Sequence, residues 1–121
     1  MEIAGRNYGF MLTAGAAADL ADMCPDGDIS RMGELMADVN GKSLRDTAKV
    51  LAILSAGYED NRQLMEPGYE PHPLTERMVL AMSMQQIRLL QDEAMGNFGT
   101  DAKTTVELAD DKKKEAAENT A

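Results

Sequence analysis

Tryptophan is absent from this chain, aromatic residues make up only 4% of it, and a single cysteine, Cys24, stands among 121 residues. Each shortage excludes something. A core so poor in aromatics must be built from Leu, Met, Ala, Ile and Val, and the 44% hydrophobic content is enough for one such core. One thiol cannot close an internal disulfide, so oxidative stapling contributes nothing. Basic residues are scarce as well: 12 Lys and Arg against 21 Asp and Glu leave a net charge of −9. Up to Asn97 eight basic residues face fifteen acidic ones, and beyond it four face six, so neither part hides a basic arm. Nucleic-acid binding needs clustered cations, and that class is set aside. No apolar run approaches the roughly 20 residues of a membrane span, and the opening residues lack the pattern of a secretory leader. The expectation is a cytoplasmic protein.

What the chain has is helix punctuation. The opening Glu2–Ala16, EIAGRNYGFMLTAGA, predicts a small β-hairpin: a short apolar run, a tight turn at Gly5-Arg6-Asn7, and a second strand over Tyr8–Leu12. Ile3, Tyr8, Phe10 and Leu12 carry its apolar content, and residues 8, 10 and 12 alternate so as to share one face. A lone hairpin is marginal in water, so that face packs on helices or pairs with another chain. Thr13 suits the N-cap of a first helix over 14–24, stopped by Pro25-Asp26-Gly27. Asp26 or Asp28 caps a second helix over 29–39, and Asn40-Gly41 ends it. Ser43, with Asp46 three residues on, opens a third helix whose stretch 48–56 is apolar on nearly every side, the mark of the most buried element. Three of the four prolines fall in PGYEPHP, 67–73, which cannot be regular helix. A long fourth helix is predicted over 74–95. From 98 onward only Val106 and Leu108 are sizeable apolar groups, and such a segment cannot offset its ordering entropy. The fold class expected is therefore mainly α: a short N-terminal β-hairpin, about four helices in a small bundle over 1–97, and a disordered tail over 98–121.

Catalytic, metal and cofactor readings find little support. Asp26, Asp28 and Ser30 are spaced like the first ligands of a calcium loop, but Arg31 and Ala37 stand where that loop needs Gly and Glu, so helix capping is preferred. His72, between two prolines, lacks a second ligand or base partner in sequence and reads as a loop residue. Cys24 falls on the apolar stripe of the first helix and reads as a core thiol. The acidic pairs Glu59-Asp60 and Asp92-Glu93 read as solvated helix faces, and no glycine-rich phosphate loop is present. No catalytic residue, metal site or cofactor is assigned. Ten methionines are the remaining oddity: Met32, Met36, Met78, Met82 and Met84 suit an aromatic-poor core, yet methionine also serves adaptable partner surfaces. Met78, Met82, Met84 and Leu89 are the candidate partner surface, because the fourth helix has more apolar width than so small a bundle needs.

IAGRNYGFMLTAGA, followed by CPDGD at the end of the first helix, resembles the small tail assembly chaperones of long-tailed bacteriophages of Gram-positive hosts. The residues carrying the likeness are Ile3, Gly5, Tyr8, Phe10, Leu12, Gly15 and Ala16, and it spans about Glu2 to Met95. The resemblance implies a non-enzymatic protein made during tail morphogenesis in the host bacterial cytoplasm, or from a prophage. It would self-associate, hold the tape measure protein, help recruit tail tube subunits and be absent from the mature virion. It also implies that a longer form can arise by programmed frameshifting, and Lys112-Lys113-Lys114 demands an A-rich tract in the message. Ile3, Tyr8, Phe10 and Leu12 are then the candidate subunit contact, through the hairpin's open edge. The competing expectation is a small acidic prophage-encoded adaptor or regulator that binds a host protein. A small enzyme using Cys24 or His72 is the least favoured class.

Overall fold

The computed structural model describes residues 2–3, 5–35 and 41–96. The predicted tail over 98–121, its Lys112–Lys114 run, and Met36 to Asn40 lie outside them. The architecture is mainly helical with a two-stranded hairpin at its start, as the pattern of the chain implied. Strands β1 (Glu2–Ile3) and β2 (Arg6–Asn7) pair antiparallel, Glu2 opposite Asn7 and Ile3 opposite Arg6. Gly5 bends the chain between them at φ +81°, a conformation that costs glycine nothing.

The hairpin is shorter than the alternation predicted. Arg6 and Asn7, assigned to the turn, form the second strand, which ends before Tyr8. The segment Tyr8–Leu12 is instead laid along a helix, α3 (Gly41–Met65), where the Met11 N–H donates to the Leu54 carbonyl at 3.0 Å. The approach is close because Gly57 has no side chain. A Cβ there would sit 2.7 Å from the Met11 carbonyl oxygen and 3.1 Å from Thr13 Oγ1. Period-2 alternation therefore chose the buried residues correctly, Tyr8 and Phe10, while the surface they bury against is a helix.

Helix α1 (Ala14–Met23) starts as predicted: Thr13 Oγ1 accepts from the Ala16 N–H at 3.1 Å. It turns Ala16 and Leu20 into the core, with Cys24 buried just past its end. A 3₁₀ turn over Pro25–Gly27 stops it, and Asp28 then caps a second 3₁₀ turn, Ile29–Arg31, by accepting from the Ser30 N–H at 3.0 Å. Helix α2 (Met32–Leu35) follows directly. The predicted helix over 29–39 is thus a 3₁₀ turn and one α-turn within the described residues.

Helix α3 begins earlier than expected. Gly41 lies inside it, so Ser43 is not its cap; Ser43 is buried and its carbonyl accepts from Thr47 Oγ1 at 2.8 Å. Ala48, Val50, Leu51 and Leu54 are buried, as is fitting for the central element against which α1 and the later helices pack. Past Gly57 the helix continues for two more turns to Met65. The proline-rich stretch returns along it, tied by Ser55 Oγ, which accepts from the Leu74 N–H at 2.8 Å. Adjacent residues of α3, Leu54 and Ser55, therefore hold one irregular segment each.

The long fourth helix predicted over 74–95 is two helices. Thr75 caps α4 (Glu76–Leu80), and the chain breaks over 81–83 before α5, residues 84–96. The cause is a reciprocal capping box: the Ser83 N–H donates to Gln86 Oε1 at 2.9 Å, and Ser83 Oγ accepts from the Gln86 N–H at 3.2 Å. Ile87, Leu90 and Ala94 return α5 to the core.

Candidate functional site

Where the proline-rich loop meets the end of α3, the chain buries a carboxylate. Glu59 is 1% exposed, which corrects its reading as a solvated helix face. It falls four residues after buried Ser55 and eight after buried Leu51, on the inward stripe of the helix. One carboxylate oxygen, Oε2, accepts a hydrogen bond from the Tyr69 hydroxyl. The other, Oε1, has no hydrogen-bond partner among the described residues, and His72 Nε2 stands 3.8 Å from it. A buried carboxylate oxygen without a donor is costly, so the loop residues that face it are under tight geometric demand.

Tyr69 and His72 reach Glu59 because the loop 66–75 doubles back over α3. The Tyr69 hydroxyl is also 3.4 Å from His72 Nδ1, which lies 3.3 Å from the Glu70 carbonyl oxygen. The Tyr8 ring meets the imidazole edge-on, with centroids 6.0 Å apart and planes at 71°. Arg62, one turn of α3 beyond Glu59, lays its guanidinium 4.2 Å from the Tyr69 ring centre and pairs with Glu66 at 3.0 Å. The hydrogen bond to the Glu59 carboxylate, followed by desolvation, pushes the Tyr69 phenol above its ordinary value. His72 is thus half-buried and wedged between two rings and a carboxylate, a far more constrained place than its sequence context implied.

Beside His72 opens a cavity of about 530 Å³ lined by Arg6, Asn7, Glu70, Pro71 and His72. A carboxylate backing an imidazole is part of a hydrolytic relay, but the relay needs a nucleophile facing the imidazole. None of the lining residues is a serine, threonine or cysteine. Cys24 is buried behind α1, where desolvation, then the carboxylates of Asp28 and Glu34, push its thiol upward and away from the reactive thiolate. No group of three or more metal-ligating side chains gathers among the described residues. The clearest work of the cluster is to fasten the loop onto α3.

The apolar candidates divide. Tyr8 and Phe10 are 5% and 4% exposed, so they belong to the chain's own core and offer nothing to a second subunit. Ile3 and Leu12 are partly buried against the same core. Of the candidate subunit contact Ile3, Tyr8, Phe10 and Leu12, the two aromatic members are therefore core residues packed within the chain, while Ile3 and Leu12 keep partial exposure. Met78 and Met82 also pack partly against the core, whereas Met84 and Leu89 are about half exposed. Leu80 joins them, and at the end of α3 Leu64 and Met65 are 77% and 71% exposed. Leu64 and Met65 carry the barest apolar surface among the described residues yet were not singled out, although the polar run before them signals that α3 has left the core. No family model, curated protein or solved structure matches this chain.

Proposed function

We propose that this chain is a non-enzymatic tail assembly chaperone of a long-tailed bacteriophage, which self-associates and binds the tape measure protein and tail tube subunits during tail morphogenesis. The observation that carries the reading is the set of large apolar side chains left in water: Leu64 and Met65 at the end of α3, and Leu80, Met84 and Leu89 on α4 and α5. A chain this small with a net charge of −9 stays soluble by charge, while flexible Met and Leu side chains supply adaptable contacts for an amphipathic helix. The resemblance of residues 3–16 to the opening of such chaperones supports the same reading.

Co-expression with the tape measure and tail tube proteins of the same genome tests it. The expected result is a tape measure protein that stays soluble and copurifies with this chain. A tape measure protein that precipitates equally with and without it would refute the proposal. Recovery of a host transcription or defence protein instead would favour the adaptor reading.

A further inference from the structure

The inward face of α5 is set by Ile87, Leu90 and Ala94. At about 100° per residue, the opposite face carries Gln85, Arg88, Leu89 and Asp92, all exposed, with Met84 at one margin and Glu93 at the other. Leu89 is 51% exposed on one flank of this face. Arg88 and Asp92 stand one turn apart with opposite charge, and neither enters an ion pair or a side-chain hydrogen bond among the described residues. Arginine preceding aspartate by four residues is also the weaker order for a pair within one helix, since both charges oppose the helix dipole.

We infer that this face pairs two copies of the chain, α5 against α5, antiparallel about a two-fold axis. A two-fold contact uses the same patch twice, so the patch must complement itself. Arg88 and Asp92 lie on one flank of the outward face and Leu89 on the other. Antiparallel helices bring matching flanks together, so Arg88 of each copy meets Asp92 of the other, and the two Leu89 side chains meet near the axis. A parallel pair would bring unlike flanks together and leave both charges unanswered. Arg88 and Asp92 also cancel, so the centre of the contact is neutral on a chain that otherwise repels its own kind. A single helix pair falls at the small end of specific interfaces, below about 1,200 Å², so the pairing is weak and salt-sensitive.

The inference rests on the proposed function for its purpose, giving self-association a surface and leaving Leu64 and Met65 for the tail components. Sedimentation equilibrium of the full chain, with circular dichroism to verify folding, tests it in the wild type, Leu89→Glu, Arg88→Glu and the double variant Arg88→Glu/Asp92→Arg. The wild type is expected to dimerise between micromolar and millimolar concentration. Leu89→Glu and Arg88→Glu should each raise the dissociation constant by about tenfold or more, and the double reversal should return it to within about threefold of wild type. A chain that stays monomeric at millimolar concentration, or a dimer in which single and double reversals behave alike, overturns the inference. A monomer that still captures the tape measure protein overturns the pairing alone; a dimer that captures no tail component overturns the chaperone reading alone.

Discussion

Replacing Gly57 with alanine sets two effects of known sign against each other. In a helix interior, glycine to alanine is worth about 1 kcal/mol in favour of alanine, because glycine loses more backbone freedom on folding. Against this, the new Cβ would lie 2.7 Å from the Met11 carbonyl oxygen, 3.1 Å from Thr13 Oγ1 and 3.2 Å from the Ala16 Cβ. The nearest of these is backbone, held by the Met11 N–H bond to Leu54 and by the Thr13 cap of α1, so it cannot swing aside as a side chain would. Overpacking of this kind costs about 1–3 kcal/mol, and more where backbone must move. The clash should win, leaving Gly57→Ala less stable by about 1–2 kcal/mol in urea unfolding, with the denaturant slope unchanged. Gly15→Ala is the matched control: it lies in α1 with nothing within 4 Å of the added Cβ, and it should be neutral or slightly stabilising. If Gly57→Ala were as stable as the wild type, Tyr8–Thr13 would not be laid on α3 as described.

Three further outcomes follow from the same geometry. Ser55→Ala strands the buried Leu74 N–H and should cost about 1–3 kcal/mol, with faster amide exchange over 66–75 as the local sign. Ser83→Ala removes one half of the capping box and should cost about 1 kcal/mol, with fraying at the start of α5 visible by amide exchange. Tyr69 sets an alkaline limit: its phenol titrates above the ordinary 10.0 in the folded chain. Its contribution is therefore complete below that ordinary value and is lost as pH rises through the elevated one, when the donor to Glu59 disappears. Tyr69→Phe should flatten the alkaline fall in melting temperature; an unchanged alkaline limb would show that Tyr69 does not hold the loop.

The helices were legible where one local signal governed. Thr13 before an alanine run and the apolar block over 48–56 were enough to place α1 and the centre of α3. Misreadings arose where two signals competed. The apolar stripe running through 74–95 concealed the Ser83–Gln86 capping box, which depends on four residues rather than on periodicity. The alternation of 8, 10 and 12 was read as a strand because sequence shows which side chains are inward but not that Gly57, far along the chain, clears a path on a helix. Glu59 was hidden by its charge: an acidic residue beside Asp60 looks solvated until a tyrosine ten residues later arrives to donate to it. Its position on the stripe of Leu51 and Ser55 was the available clue. Exposure of Leu64 and Met65 depends on where α3 outruns its neighbours, which is a tertiary fact.

In the proposed function the protein works through its exposed apolar side chains, and the polar cluster around Glu59 serves the fold. Copurification of the co-expressed tape measure protein with three forms of the chain tests that directly: wild type, Leu64→Ser/Met65→Ser, and His72→Ala. Capture should be strong with the wild type and His72→Ala and reduced by about tenfold with Leu64→Ser/Met65→Ser. Capture abolished by His72→Ala and untouched by the double serine variant would contradict the claim and move the functional site to the cavity beside His72.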